Sequence, residues 1–504
     1  MHLLWLKRDL RLDDHAALYH AAQHGQPVLP VYIVEPDYWQ QPDTSLRHWA
    51  FISTALEQLQ IQFTALGQPL LVFYGPASRV FHELLQYFPI TAVYSHEETG
   101  NLWSYQRDIA VAGFWQQRGV PWYQYKQFAV FRPLANRDLW FKQADAWLSA
   151  ALYPTPSSLP FICPSNWQAP LPSPMRTKDL PACIEPQQAQ HCAETLQSFL
   201  QQRAQSYRGG ISFAAKAANS CSRLSPYLSY GMISMRALQQ LSWQQRKNTE
   251  NSRQQQGLDA FYSRLRWHCH FMQKLEDEPE IEFRNMHRGF DGLRETAFCK
   301  DAFHAWATGN TGYPFIDAAM RSLLHTGWLH FRGRAMLVAF ACYHLWLHWR
   351  PVALHLARCF VDYEPGIHYP QIQMQAGTTG INPNRMYNPI KQSLQKDADG
   401  VFIRTWLPEL RHIPTSWLHQ PWLLNKQQQQ QYLCLLGRDY PQPVITAEHA
   451  MRLARQRLKN WLSEHRQHWS DEKKRIVKRH ASRNRPIERR KTISRQQLTL
   501  FDER

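Results

Sequence analysis

Closely spaced cysteine pairs and long apolar runs are both missing from this 504-residue chain. Its nine cysteines are scattered, odd in number and never spaced as Cys-x-x-Cys, which argues against a disulfide framework and a zinc site. No apolar run reaches the roughly 18 residues typical of a membrane-spanning helix, and the start, LLWL followed by KRDLR, is unlike a signal peptide. We therefore expect a soluble, cytoplasmic protein without a metal.

Acidic residues are scarce beside basic ones, with 40 Asp and Glu against 57 Lys and Arg and a net charge of +17. The excess is uneven, because residues 451–504 hold 17 Lys and Arg against 6 Asp and Glu. A basic segment of this kind usually has a polyanion as its partner, most often nucleic acid. The alternative is a disordered extension that only keeps the protein in solution.

Apolar runs separated by amphipathic stretches characterise the first 130 residues. The runs read as buried strands and the amphipathic stretches as helices, and their alternation is typical of a parallel sheet covered by helices. No Gly-x-Gly-x-x-Gly follows the first run, so the ordinary dinucleotide-binding motif is absent. The predicted strands lie at LLWL and at 27–34, 69–75 and 90–96, and the predicted helices lie near 46–60, 77–87 and 102–118.

Composition divides the rest of the chain. Pro and Ser are frequent across 131–191, which predicts a long surface linker. Helical periodicity then dominates to about residue 450, and in the basic tail LARQRLKNWL favours helix whereas residues 471–495 favour disorder. The predicted fold is a Rossmann-like α/β parallel-sheet N-terminal domain (1–130), a linker (131–191), an all-α C-terminal domain (192–450) and a partly disordered tail (451–504).

Four blocks along the chain resemble the photolyase/cryptochrome family, in that family's order. The resemblance implies that the all-α domain binds FAD and that the N-terminal domain holds an antenna chromophore, of the pterin or deazaflavin type. One branch of the family carries an iron–sulfur cluster on C-terminal cysteines, but only Cys434 lies beyond residue 359, so we expect no cluster. The blocks are LLWLKRDLRLDDHAAL from Leu3, SCSRLSPYLSYG at Ser220–Gly231, TGYPFIDAAMRSLLHTGWLHFRGR at Thr311–Arg334, and NPIKQSLQKDADGVFIRTWLPEL at Asn388–Leu410.

The resemblance also implies a set of flavin-binding residues. SCSRLS matches the diphosphate loop; hydroxyl groups before a helix can donate to phosphate, although alone such a cluster is an ordinary helix cap. An Arg–acid pair beneath the flavin is expected from Arg334 and Asp362, and His368 stands where most photolyases have an Asn facing flavin N5; a core histidine bonded elsewhere is the alternative. The expected cofactor-binding residues are Tyr207, Ser222, Arg223, Leu224, Ser225, Trp267, Arg334, Asp362, Glu364 and His368.

The family's electron-transfer chain of three tryptophans is interrupted in this sequence. Trp349 matches the middle tryptophan, whereas Thr296 stands at the outer position and Ile372 at the inner one. We count Trp349, His368 and Trp267 as the candidate catalytic residues. A substitute route could use other aromatic residues, namely Tyr369, Tyr363, Trp346 or Trp306.

The expected substrate pocket is altered as well. Trp267 matches the tryptophan on which a flipped dinucleotide stacks. Arg264 replaces the Glu that binds a cyclobutane dimer, Phe331 beside Arg332 replaces an Asn, and Met374 replaces a second stacking tryptophan. The two histidines of enzymes acting on (6-4) photoproducts are not both present, since His330 is one residue off and Ala335 fills the other site.

QLTLF at Gln497–Phe501 resembles the pentapeptide by which bacterial repair proteins dock on the sliding clamp, where Leu and Phe would enter an apolar pocket. The favoured function is blue-light-dependent repair of pyrimidine dimers in DNA by a monomeric FAD photolyase. A cryptochrome-type photoreceptor with little repair activity is the alternative. A structural DNA-binding protein with a vestigial flavin fold is a third hypothesis.

Overall fold

A five-stranded parallel sheet forms the centre of the N-terminal region in the computed structural model, which describes residues 1–134, 136–161, 171–172, 174, 179–296, 298–381, 383 and 385–480. The strand order is β3-β2-β1-β4-β5, so the order reverses between β1 and β4. The predicted parallel sheet is confirmed. The strands are β1 His2–Leu6, β2 Val28–Val34, β3 Leu71–Tyr74, β4 Ala92–His96 and β5 Trp122–Tyr125.

Strand β1 is buried on both faces, which explains why it reads as a continuous apolar run. Successive side chains of a strand point to opposite faces. Leu3 and Trp5 accordingly pack into one apolar cluster, while Leu4 and Leu6 pack into another that extends to the helical part of the chain. Strand β5 was not predicted, because its exposed Tyr123 and Gln124 break the apolar pattern.

Helices cover both faces of the sheet, and the three predicted there are confirmed as α3, α4 and α5. One helix, α6, falls inside the predicted linker, so the prediction of a plain surface connection is wrong at that point. It is held because Trp140 is buried and its indole N–H donates to the Ala129 carbonyl at 3.0 Å. The helices up to this point are α1 Ala16–Ala22, α2 Pro36–Trp39, α3 Leu46–Ala65, α4 Ala77–Tyr87, α5 Leu102–Gln116 and α6 Trp140–Ser149.

Described residues after 186 form no strand, in agreement with the predicted all-α domain. The α-helices are α7 Cys192–Ser198, α8 Ala204–Gly210, α9 Ala214–Ser220, α10 Ser225–Ser229, α11 Met235–Asn248, α12 Ser252–Asp277, α13 Lys300–Ala307, α14 Pro314–Thr326, α15 Phe331–Ala339, α16 Trp349–Cys359, α17 Pro365–Ala376, α18 Pro389–Lys396, α19 Val401–Trp406, α20 Thr415–Leu418, α21 Lys426–Gln431, α22 Ala447–Glu464 and α23 Arg466–His480. Within the parts of the chain described, no helix is long and apolar enough to cross a membrane.

Short helical turns of other types connect these elements. Two are π-helical, at Phe199–Arg203 and Phe340–His344. The others are 3₁₀ turns at Gln23–Gly25, Arg137–Leu139, Ala189–His191, Pro279–Glu282, Arg288–Phe290, Pro408–Leu410 and Pro421–Leu423.

The basic tail is helical further than the sequence indicates. Helix α22 confirms the helix predicted at LARQRLKNWL, but α23 continues through residues 471–480, where disorder was predicted. Burial against the helical domain explains the difference, because Arg475 and His480 both bond to the carboxylate of Glu278, at 2.9 and 2.8 Å. The rest of the tail, including the clamp-like Gln497–Phe501, lies outside the described residues.

Hydrogen bonds between the two regions bring strand β1 and the helical domain together. Arg8, just after β1, donates to the Ser229 carbonyl at the end of α10 at 2.9 Å. The Leu10 N–H donates to the Tyr230 carbonyl at 3.0 Å, and Ser45 donates to the Arg358 carbonyl at 2.8 Å. The carboxyl end of the sheet therefore faces the segment between α16 and α17.

Candidate functional site

A cavity of about 350 Å³ opens among α8, the loop before α10, α12, α15 and α17. This volume is in the range of small-molecule and cofactor sites. We call it the helical cavity. The predicted site residues that line it are Tyr207, Ser222, Arg223, Ser225, Arg264, Phe331, Arg334, Asp362, Glu364 and His368.

The predicted phosphate loop forms one wall of the helical cavity. Arg223 has a left-handed backbone, with φ at 61°, and its guanidinium lies 4.0 Å over the Trp328 ring. Arg203 supports the loop from behind by donating to the Ser222 carbonyl at 3.1 Å. Helix α10, which follows, has only five residues, so the side chains and Arg223 supply more of the positive potential than a helix dipole does.

Arg334 and Asp362 form the predicted ion pair on the opposite wall. The guanidinium Nη2 lies 2.7 Å from Asp362 Oδ2, and Nε donates to the Leu329 carbonyl at 2.6 Å. The second oxygen, Asp362 Oδ1, is buried and accepts no hydrogen bond from the residues described. The pair therefore presents a free acceptor where it lines the cavity.

Glu364 repeats this arrangement with a partner from the N-terminal region. Its Oε2 accepts from Arg8 Nη2, while Oε1 is buried and has no hydrogen-bond partner among the described residues. Burial raises the pKa of Glu364, and the charge of Arg8 opposes that rise. Two carboxylates at this wall thus hold one oxygen each for a donor that enters the cavity.

Three histidines line the helical cavity in the neutral form. Burial lowers the pKa of His268 and of His330 to about 3, and that of His368 to about 4. His368 Nε2 lies 2.9 Å from the Ala353 carbonyl, so Nε2 carries the proton and Nδ1 is the basic nitrogen. His368 therefore makes the core hydrogen bond of the alternative and also lines the cavity, and its position facing flavin N5 stays a prediction.

Several predicted site residues do not line the helical cavity. Trp267 lies on α12 with its ring 5.1 Å from His270, and the Arg332 guanidinium lies 5.5 Å over Tyr387. Leu224, within the phosphate loop, is fully buried, and Met374 is half-buried on α17.

The positions of the interrupted tryptophan chain differ in their exposure and in whether they line the cavity. Trp349 is buried, does not line the cavity, and donates to Asn285 Oδ1 at 2.8 Å. Thr296 is exposed, whereas Ile372 lines the cavity. Among the aromatic residues suggested as substitutes, only Tyr363 lines it.

Sequence reasoning missed two residues that the fold brings to the site. Arg8 belongs to the block LLWLKRDLR, and its link to Glu364 spans 356 positions, which no local pattern reveals. His268 lies in RLRWHCHF, one position after Trp267 and one helical turn after Arg264. The spacing of Arg264 and His268 along α12 could have indicated that both face the same side.

The acid in TGYPFID has a structural role. Asp317 accepts from the N–H groups of Thr311 and Gly312 at 2.8 and 2.9 Å, and from the Tyr440 hydroxyl at 2.5 Å. Gly327 ends α14 with φ at 71°, and a Cβ there would lie 2.4 Å from a methyl carbon of Val361. These contacts fix the turn that places Trp328 and α15 beside the cavity.

A second, smaller space lies at the carboxyl ends of β1 and β4, where the strand order reverses and where α/β sheets usually bind ligands. We call it the strand-end crevice. Its volume is about 50 Å³, room for a few waters. Arg107 lines this space and bonds to three carboxylates, those of Glu35, of Glu98 at 3.1 Å and of Asp108 at 2.8 Å. Its guanidinium also lies 4.8 Å over the ring of Trp5.

Comparison with known proteins agrees with both regions of the fold. Residues 2–137 match the family model described as DNA photolyase, and residues 261–460 match the model described as FAD binding domain of DNA photolyase. A deoxyribodipyrimidine photo-lyase of Alkalihalophilus pseudofirmus is 28% identical over 88% of this chain and 94% of its own. A cryptochrome DASH of Natronomonas pharaonis is 28% identical over 88% of this chain and 97% of its own.

A solved structure shows the same fold. The crystal structure of a bacterial class III photolyase from Agrobacterium tumefaciens aligns with a TM-score of 0.77 at 24% identity, covering 92% of this chain and 98% of that chain. The parallel sheet and the helical region are thus shared as one architecture.

Proposed function

Since the chain belongs to the photolyase/cryptochrome family, we propose that it is an FAD-containing photolyase that uses blue light to repair pyrimidine dimers in DNA. The observation that carries the proposal is the helical cavity, with its Arg334–Asp362 pair and its two free carboxylate oxygens. A buried acceptor without a donor is costly, so its retention points to a ligand that donates there.

The residues of the helical cavity fit FAD. Asp362 Oδ1 and Glu364 Oε1 would accept from N–H or hydroxyl groups of the flavin and its ribityl chain, and Arg223 and Arg334 would oppose the charge of its diphosphate. When bound and reduced, FAD supplies the light-driven electron that splits the dimer. Neutral His368 keeps a basic nitrogen near the cavity without adding a positive charge.

The DNA lesion would enter as a flipped dinucleotide at the open side of the cavity. Phe331 is 41% exposed and lines the cavity, and Arg264 lines it too. An apolar ring and a cation therefore border the space that a flipped dinucleotide would enter. Arg332, although outside the cavity, is one residue from Phe331 and suited to a backbone phosphate. Trp267 does not line the cavity, so it could contact the lesion only from the outer surface of α12.

The experiment is repair of dimer-containing oligonucleotides by purified protein with reduced FAD, in blue light and in darkness. We expect restored thymines only in light. A yellow protein that binds such DNA without repairing it in light would contradict the proposed enzyme and leave the flavoprotein intact. A protein that takes up no FAD would contradict both.

A cryptochrome-type photoreceptor with little repair activity is the second candidate. The observations that favour it are Arg264 and Phe331 at cavity positions where photolyases bind the dimer through Glu and Asn, together with the cryptochrome DASH relative. Charge reversal from Glu to Arg removes an acceptor for the N–H groups of the bases. The repair assay above separates the two candidates.

An antenna chromophore does not fit the strand-end crevice as it stands. A pterin or deazaflavin needs a site of several hundred Å³, whereas about 50 Å³ is open and Arg107, which lines this space, is bonded to its carboxylates. The antenna chromophore implied by the resemblance therefore stays a prediction, without an open site at this crevice.

The tail would assist repair in two separate ways. Its charge would raise encounters with DNA, and Gln497–Phe501 would dock on a sliding clamp. A Leu500→Ala, Phe501→Ala double variant should lose clamp binding while its FAD content stays unchanged. Deletion of residues 481–504 should also weaken DNA binding and flatten its salt dependence. Undiminished clamp binding by the double variant would refute the docking role.

A further inference from the structure

Asp43, which lies between α2 and α3, is a buried carboxylate held by uncharged donors. It is 1% exposed, and its Oδ2 accepts from the hydroxyls of Tyr363 and Tyr369 at 2.6 and 3.2 Å and from Asn101 Nδ2 at 3.1 Å. None of the Lys and Arg side chains described forms an ion pair with it. Burying a carboxylate without a cation is costly, so such a group is a candidate for function.

Tyr363 connects this carboxylate to the helical cavity. Its ring lines the cavity and lies 5.2 Å from the ring of His368, while its hydroxyl points away to Asp43. Tyr369 shares the same carboxylate but does not line the cavity. Of the two phenols, Tyr363 is therefore the one next to a bound cofactor.

We propose that Tyr363 is a redox-active residue that gives one electron to the photoexcited flavin and its phenolic proton to Asp43. The inference rests on the proposed function, because the oxidant is the oxidised flavin excited by blue light. The O–H bond of Tyr363 breaks, a new O–H bond forms on Asp43 Oδ2, and a neutral radical remains on the phenol. The electron of Tyr363 would pass to the excited flavin, which would supply the one-electron oxidant, and reverse transfer would restore both side chains.

The surroundings prevent the proton of Tyr363 from leaving before the electron. Burial and the charge of Asp43 raise the pKa of Tyr363 well above its ordinary value, so the phenol does not ionise beforehand. Oxidation makes a phenol strongly acidic, and the proton then needs an adjacent base. His48, stacked 5.8 Å away, is not that base, because its Nε2 faces the carbonyls of Ala357 and Phe360 at 3.1 and 3.0 Å and its Nδ1 accepts from the Ser45 N–H at 3.3 Å.

The experiment uses the full chain loaded with oxidised FAD and excited by a blue pulse without external reductant. We expect a neutral tyrosyl radical by transient absorption and electron paramagnetic resonance, formed more slowly in D₂O. Tyr363→Phe should lower its yield at least about tenfold, and Asp43→Asn should slow its formation at least about tenfold. Asp43→Glu should restore part of the rate.

Two control variants test the assignment. Tyr369→Phe leaves the Tyr363–Asp43 bond and should keep the radical. Tyr313→Phe removes another buried phenol, one bonded to the Ile445 carbonyl at 2.6 Å, and should change nothing. Equal radical yield in wild type and Tyr363→Phe, or a wild-type rate unaffected by D₂O, would overturn the inference even if the Asp43 variants fail to fold. Failure to bind FAD would instead overturn the proposed function.

Discussion

The strand-end crevice and the helical cavity are built from the same kinds of side chains and differ in how those side chains are paired. In the crevice, Arg107 bonds to three carboxylates and lies over Trp5, which leaves about 50 Å³. In the cavity wall, Asp362 accepts from Arg334 and Glu364 accepts from Arg8, and the other oxygen of each carboxylate has no partner among the described residues beside about 350 Å³. Complete pairing closes a site, and half-complete pairing keeps one ready for a ligand.

The same comparison shows why topology alone does not locate the ligand. The carboxyl ends of β1 and β4 are the expected place for one. In this chain that place is used to join the two regions, because Arg8 and Asn101 reach from the crevice to Glu364 and Asp43. The candidate ligand site lies among the helices instead, and the bond of Arg8 to Glu364 supports one wall of that site.

The largest expected effect follows from breaking the crevice network. Arg107→Ala leaves Glu35, Glu98 and Asp108 buried without their shared cation, which we expect to lower the free energy of unfolding by about 3–5 kcal/mol. Urea denaturation measures it. Arg79→Ala, which removes an exposed pair with Glu83, is the control and should cost about 1 kcal/mol or less. A loss below about 1 kcal/mol for Arg107→Ala would show that the crevice is not held by this network.

A smaller but more specific effect is expected in the helical cavity. Asp362→Asn weakens the bond to Arg334 and replaces a free acceptor, so we expect FAD affinity to fall by about 1.5–3 kcal/mol, roughly 10- to 100-fold. Fluorescence titration of FAD measures it. Asp397→Asn is the matched control, because Asp397 is a buried acid that caps α19 at 3.0 and 2.9 Å and does not line the cavity. Equal losses in the two variants would mean that Asp362 acts only through stability.

The two regions that carry these sites could be predicted from the sequence, but not which of the two sites is closed and which is open. The parallel sheet, the helical domain and the Arg334–Asp362 pair follow from apolar runs and family motifs. The closed crevice depends on the bonds of Arg107 to Glu35 and Glu98, which lie 72 and 9 positions earlier in the chain. No sequence periodicity reveals these pairs. The helix at 471–480 was missed because its composition is polar, and contacts with residues distant in sequence hold it, among them the bonds of Arg475 and His480 to the buried Glu278.

Acid titration should affect the cavity through its neutral histidines. A histidine whose folded pKa is lowered contributes stability that is present above the unfolded value of about 6.5 and is lost as the pH falls toward the folded value. For His268 that window runs from about 6.5 down to about 3. Its Nδ1 has no partner within the described residues, so its removal breaks no hydrogen bond at that nitrogen.

His268→Asn should therefore flatten the loss of stability between pH 6.5 and 4 by up to about 1.4 kcal/mol per pH unit. Urea unfolding at a series of pH values measures the slope. His82→Asn, at an exposed position on α4, should leave the slope unchanged. An identical slope in wild type and His268→Asn would mean that the pKa of His268 is not lowered in the folded protein.

The smallest expected effect concerns Trp349. In a continuous tryptophan chain its replacement would stop electron supply, but here Thr296 is exposed at one end, Ile372 stands at the other, and Trp349 does not line the helical cavity. Trp349→Phe should leave the photoreduction rate within about twofold of wild type, whereas Tyr363→Phe should not. The lost bond to Asn285 Oδ1 costs stability, so FAD content must be matched first. If Trp349→Phe abolished photoreduction at full FAD content, the electron would have to travel through Trp349, and Tyr363 with its proton acceptor Asp43 would not be the donor.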